Sequence, residues 1–205
     1  MTTILITILV IIILAAAFFL PTIFIKPRKN DFSKGERTQL KNEVFLPLVS
    51  ELVNEGKTVT IPLNGDSMRP FFESKQDAGV LSKAIEFKRG DVVLAEIEKG
   101  HFVFHRIDNI FIDGKKIKGE TDDEEADVVL RGDGNCGQVE NCKIKDIRAI
   151  CHEVIRDGKK WNIKNSRRWK IYSLFWMNTL FARRYLLAAY RLLWLHQLPQ
   201  RWKKR

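Results

Sequence analysis

Apolar positions change their spacing three times along this chain. Ile4 to Ile25 is a run of 22 uncharged, almost wholly apolar residues, enough at 1.5 Å per helical residue to cross about 30 Å of hydrocarbon. It predicts a retained transmembrane anchor. A cleaved leader fits less well, since no Lys or Arg precedes the run and it ends in Lys26-Pro27-Arg28-Lys29 without a small-residue cleavage pattern. From Asn30 the chain reads as a linker and then a helix, with Leu40, Val44, Leu48 and Leu52 four apart and Gly56 as its stop.

Beyond Gly56 the period drops to two. Val59, Ile61 and Leu63 alternate with polar neighbours, and short runs follow at Asp91–Glu96, Phe102–Ile107, Phe111-Ile112, Lys116–Lys118, Val128–Leu130 and Ile147–Ile155. Turn sequences such as Lys88-Arg89-Gly90-Asp91 and Asp113-Gly114-Lys115 separate them. The expectation is a mainly β domain, an antiparallel sheet or barrel over residues 58–157. The anchor (1–26) and a linker with its helix (27–57) precede it, and a tail (158–205) follows.

In that tail Trp169, Tyr172, Phe175, Trp176, Phe181, Tyr185, Tyr190 and Trp194 interleave with Arg167, Arg168, Lys170, Arg183, Arg184 and Arg191. Two readings stay open: amphipathic helices lying among lipid headgroups, or aromatics packed on the domain.

Charge sharpens the first reading. The net charge of +10 suggests nucleic acid until it is divided, because residues 158–205 carry 13 Lys/Arg and no Asp or Glu, whereas residues 1–157 sum to −3. The basicity belongs to the tail, where it favours an anionic membrane surface; no nucleic-acid partner is expected. The cluster at Lys26–Lys29 leans, by the positive-inside rule, towards a single-pass protein with its bulk in the cytoplasm. Cys136, Cys142 and Cys151 cannot all pair and lack zinc-site spacing, so they read as reduced, with a Cys136–Cys142 bridge the alternative. The acidic loop Thr121–Asp127 has no calcium-loop spacing, and no phosphate loop or zinc helix is present, so neither metal nor organic cofactor is expected.

Three short segments carry candidate chemistry. Gly65-Asp66-Ser67-Met68-Arg69-Pro70 follows a strand and opens a turn, a place where a serine hydroxyl can be presented. Such a hydroxyl needs a base within reach and donors for the developing oxyanion. His105, on the apolar strand Phe102–Ile107, is the best base available; His101, His152 and His196 lie in less ordered contexts. Leu130-Arg131-Gly132-Asp133-Gly134-Asn135 brings a carboxylate and an amide to a glycine turn, and Asp133 could orient the imidazole.

The ordered set Gly-x-Ser-Met-x-Pro, Arg-Gly-Asp-Val-Val, His-Arg-Ile and Gly-Asp-Gly-Asn resembles the successive boxes of type I signal peptidases, a superfamily shared with self-cleaving SOS-response repressors. It is similar to the archaeal and endoplasmic-reticulum branch, where histidine replaces the lysine base. Over residues 58–156 the resemblance implies Ser67 as nucleophile, His105 as base and Asp133 as the acidic partner. It also implies the Ser67 backbone amide in the oxyanion hole, Met68 lining the substrate cleft, and Gly65, Asp66 and Pro70 among the substrate-binding positions. The expected activity is a membrane-associated serine endopeptidase cleaving exported or membrane-associated polypeptide precursors; the alternative is a non-catalytic peptide-binding module. Two departures stand out. Position 65 is glycine rather than a serine whose hydroxyl could donate, and the branch's second aspartate after the Gly-Asp box has only Gln138 and Glu140 as neighbours here.

Overall fold

Alternation at Val59, Ile61 and Leu63 produces what it predicts: a strand, β1 (Val59–Pro62), with Ile61 and then Leu63 buried and Thr60 and Pro62 exposed. A computed structural model describes residues 42–197, which form a mainly antiparallel β fold with helices at either end. Ile4–Ile25, the Lys26–Lys29 cluster and Leu40 lie outside the described residues, and among those described no helix is long and apolar enough to cross a membrane.

Helix α1 (Asn42–Asn54) precedes β1. The strands that follow are β2 (Ala78–Ser82), β3 (Val92–Glu98), β4 (His101–Ile112), β5 (Lys115–Lys116), β6 (Asp127–Arg131), β7 (Glu140–Lys143), β8 (Ile147–Arg156) and β9 (Lys159–Asn162). Helices α2 (Arg167–Asn178) and α3 (Leu180–Gln197) end the described chain. The chain divides within α3: Lys29–Arg184 is one compact unit, which holds the sheet, and Tyr185–Gln197 falls in a second.

The sheet order is β1-β2-β8-β3-β4-β6-β7, every pairing antiparallel, with β5 added to β4 and β9 to β8. The predicted runs Phe102–Ile107 and Phe111-Ile112 are one 12-residue strand, β4, whose register slips by one residue between Ile107 and Asn109. Its central residues His105 to Asp108 are all buried, so both faces of the sheet are covered there. One face carries the core of Val93, Ala95, Ile107, Val128, Leu130 and Ile150. On the other, Phe72 packs edge-on against Phe104 at 5.4 Å, and Phe71 meets Trp169, Tyr172 and Trp176 of α2 at 5.3 to 5.8 Å.

Trp169, Tyr172 and Trp176, grouped above with a candidate membrane face, are thus engaged in aromatic packing within the domain. Among the residues that α2 leaves exposed are Lys170, Ile171 and Leu174, at helical spacing. In α1 the expected stripe is displaced by one residue: Val49 and Val53 are buried while Leu48 is 42% exposed. All three cysteines are free, and burial pushes the Cys142 and Cys151 thiols up to about 12, which leaves both protonated at neutral pH. The acidic loop is tied down by Glu125, which accepts from Lys143 and Lys145 at 2.6 and 2.7 Å.

Candidate active site

The Ser67 turn is anchored at both ends. Leu63 N–H donates to the Asp77 carbonyl at 2.9 Å, and after Pro70 the chain turns inward, with Phe71 and Phe72 N–H both donating to the Met68 carbonyl. Burial of Met68 (4% exposed), Pro70, Phe71 and Phe72 against the sheet fixes the inner side of the turn, so the Met68 side chain is packed inside rather than on an open surface. Gly65 and Asp66 are exposed, and Ser67 is half-buried between them and Met68. Gly65 sits at φ +105° and donates its N–H to Ser74 Oγ at 3.0 Å. That backbone conformation excludes a strain-free serine, which gives a physical reason for the missing hydroxyl. Arg69 ties the turn together, reaching Asp66 Oδ1 and Glu73 Oε2 at 3.1 Å each.

His105 lies in β4 opposite Val93 of β3, with its side chain 7% exposed. Its Nδ1 is 2.9 Å from Glu140 Oε2. Glu140 opens β7, where it pairs with Leu130, and its side chain is 24% exposed. With the Nδ1 proton donated to that carboxylate, Nε2 is left as the acceptor.

Nε2 faces the glycine turn that follows β6. A Cβ placed on Gly132 would lie 3.1 Å from His105 Nε2, 2.5 Å from the Ser67 carbonyl oxygen and 3.0 Å from Asn135 Nδ2. The bare glycine is therefore what lets the serine turn, the imidazole and the Asn135 amide converge. Gly134 N–H completes the join, donating to the Ser67 carbonyl at 2.7 Å. Segments distant in sequence, the 65–70 turn, β4 and the 132–135 turn, meet at this place.

Asp133 does not hold the imidazole. Its carboxylate takes two hydrogen bonds from Arg106, Nε to Oδ1 at 2.9 Å and Nη2 to Oδ2 at 2.7 Å, while its carbonyl accepts from Trp176 Nε1 at 3.0 Å. Successive residues of a strand point to opposite faces, so a carboxylate that meets Arg106 is on the wrong side of β4 for His105. The carboxylate at the imidazole is that of Glu140, which the sequence flagged only as an acid near a missing aspartate. Arg106 Nη1 also donates to the Gly90 carbonyl and Ser173 Oγ, both at 2.9 Å, and its guanidinium lies 5.0 Å from the Phe71 ring centre. One buried side chain thereby links β4, the β3 turn, the serine turn and α2.

Of the other histidines, His101 is exposed and His152 Nδ1 is 3.3 Å from Ser82 Oγ, while the side chain of His196 lies outside the described ones. Among the described residues no group of three His, Cys, Asp or Glu side chains could hold a metal ion. Searches of family models, curated proteins and solved structures give no match to this chain.

Proposed function

We propose that this chain is a serine endopeptidase of the signal-peptidase kind, acting on polypeptide precursors at a membrane, with Ser67 as nucleophile, His105 as general base and Glu140 as the carboxylate that orients it. The convergence over Gly132 carries this reading: His105 Nε2 and the Ser67 main chain lie within about 3 Å of one point, while Nδ1 is held by Glu140. Such a base–carboxylate arrangement is what a serine hydroxyl needs to be activated at neutral pH.

In this mechanism Ser67 Oγ bonds to the scissile carbonyl carbon as its proton passes to His105 Nε2. Glu140 stabilises the imidazolium without taking the proton. Collapse of the tetrahedral intermediate breaks the C–N bond, and His105 returns the proton to the departing amine. Water, deprotonated by the same imidazole, then releases the acyl group from Ser67. The Ser67 N–H is one donor for the oxyanion; Gly65 offers no hydroxyl for a second. Asp133 and Arg106 are assigned to the scaffold, and Met68 supports the turn from inside.

The membrane part of the proposal has separate support. Ile171, Leu174 and Phe181 are 60%, 57% and 84% exposed beside the exposed Lys170 and Arg184, in a tail with no acidic residue. Exposed apolar groups among cations suit an anionic lipid surface.

The test is covalent. A fluorophosphonate should label the wild-type chain at Ser67 and leave Ser67→Ala unlabelled, and Ser67→Ala should lose cleavage of a precursor peptide while melting at the same temperature. A folded wild-type chain that takes no label at Ser67 would reject the peptidase. The second reading, a peptide-binding module, is favoured by one observation, the φ +105° glycine that removes a donor from the serine turn. It predicts peptide binding without label.

A further inference from the structure

Resting on the serine-peptidase reading, we infer that the side-chain amide of Asn135 is a hydrogen-bond donor of this site, directed at the carbonyl oxygen that Ser67 attacks. The first ground is position. Asn135 Nδ2 is 3.0 Å from the point above Gly132 to which His105 Nε2 and the Ser67 carbonyl also converge. Because the amide lies this near the Ser67 main chain and the imidazole, a peptide carbonyl brought between Ser67 and His105 would come within its reach.

The second ground is how the residue is held. Its N–H donates to the Gly132 carbonyl at 3.0 Å, and its own carbonyl accepts from Arg183 Nη1 at 3.1 Å. Arg183 is itself 1% exposed and braced by the Trp176 carbonyl at 3.0 Å. The backbone of Asn135 is thus fixed from both sides, which anchors the side chain at its base. Its side chain, half-exposed, makes no hydrogen bond to another described residue, so the amide is not committed to another acceptor there.

The third ground is the vacancy at position 65. The left-handed backbone there disfavours a hydroxyl-bearing residue and the chain has glycine, so the serine turn supplies one donor where two serve an oxyanion best. Asn135, from the glycine turn after β6, provides the second.

Phosphonylation tests this directly, because Ser67 Oγ bonds to phosphorus as fluoride leaves and the phosphoryl oxygen takes the carbonyl's place. Second-order labelling rates of the full chain by a fluorophosphonate, from pH 6 to 9, are measured for wild type, Ser67→Ala, Asn135→Ala and the isosteric Asn135→Asp, alongside melting temperatures. We expect Asn135→Ala to label about 100-fold more slowly with the same pH dependence and melting point, and Asn135→Asp, an anion facing the developing charge, to be slower still. If Asn135→Ala melts early, Asn135→Asp carries the test, since it keeps the shape and loses the donor. A rate within threefold of wild type in a folded variant overturns the proposal and leaves Ser67 and His105 untouched. A slower rate of Asn135→Ala with an altered pH dependence also overturns it, because Asn135 then acts through the base, whereas Asn135→Asp, which adds a titrating anion beside His105, is read by its rate alone. Equal absence of label in wild type and Ser67→Ala overturns the peptidase reading, and this inference with it.

Discussion

Arg106 and Asp133 face one another in a two-pronged ion pair inside the fold, at 2.9 and 2.7 Å, with each side chain 2% exposed. Removing one partner leaves the other as a buried, uncompensated charge, which costs about 3–5 kcal/mol. Arg106→Ala should therefore lower the urea midpoint sharply, and losing the Gly90 and Ser173 contacts adds to it. Arg106→Met combined with Asp133→Leu should recover much of the loss, because neither charge then remains. Equal instability of the single and double variants in urea melts would show that the other Arg106 contacts dominate.

Glu140 predicts the opposite split between stability and activity. It is partly exposed and bonded to His105 Nδ1, so Glu140→Gln should change the melting temperature little. Labelling of Ser67 should fall about 100-fold, since an amide can present the wrong partner to Nδ1 and no longer offsets an imidazolium. Glu140→Asp, a carboxylate one methylene shorter, should restore part of the rate. If Glu140→Gln labels at the wild-type rate, the imidazole does not depend on this carboxylate.

Gly132 and Gly137 give a matched pair. An added Cβ at Gly132 would meet backbone oxygen at 2.5 Å and His105 Nε2 at 3.1 Å, whereas at Gly137 it would meet nothing within 4 Å. Gly132→Ala should force the serine turn off the imidazole, destabilising by about 1–3 kcal/mol and stopping Ser67 labelling. Gly137→Ala should be neutral in both. Heat melts and labelling of the two variants, read side by side, check the convergence over Gly132.

Which parts of this arrangement were legible in the sequence follows from what a one-dimensional pattern can carry. Strands with one buried face, such as β1 and β6, announce themselves by alternation. Ala78–Ser82 is buried at four of five positions and has no alternation, Glu140–Lys143 has no apolar run, and Lys159–Asn162 is wholly exposed. None of the three is among the runs expected to be strands, and all three exist because neighbouring strands offer them hydrogen bonds. In α1, apolar residues fill two adjacent four-residue rows, and periodicity does not choose between Leu48 and Val49. The same limit applied at the site. Order along the chain suggested Asp133 for His105, but the pairing is decided by which face of β4 each side chain leaves from and by the register that sets Glu140 opposite Leu130.

The exposed residues of the tail lead to a lipid prediction. A chain beginning at Asn30, without the N-terminal apolar run, should co-sediment with vesicles containing phosphatidylserine and release as salt rises. Replacing Ile171, Leu174 and Phe181 together by Ser should weaken that binding at least tenfold, because about 0.8 kcal/mol is lost for each buried methylene-sized group. The domain's aromatic packing uses Trp169, Tyr172 and Trp176 instead, so folding should survive. Vesicle binding unchanged by the triple substitution would assign these residues no part in it.

Beside the serine turn, burial pushes the Glu73 carboxyl from its ordinary 4.5 up to about 7, against the opposing pull of Arg69 and Arg156. In the folded state this group holds a proton that the unfolded chain has released. Its contribution to stability is therefore complete below about pH 4.5 and is lost as pH rises through 7, on the order of 3 kcal/mol. Glu73→Gln imitates the protonated form at every pH. The variant should match wild type near pH 5 and melt above it at pH 8, with the gap opening between the two. The difference isolates this group from Glu96 and Glu125, whose lowered values act in the opposite direction and are common to both chains. Because Glu73 is bonded to Arg69, which also reaches Asp66, the same titration bears on the residue preceding Ser67. A gap that stays constant from pH 5 to 8 would mean that the two arginines keep Glu73 ionised throughout.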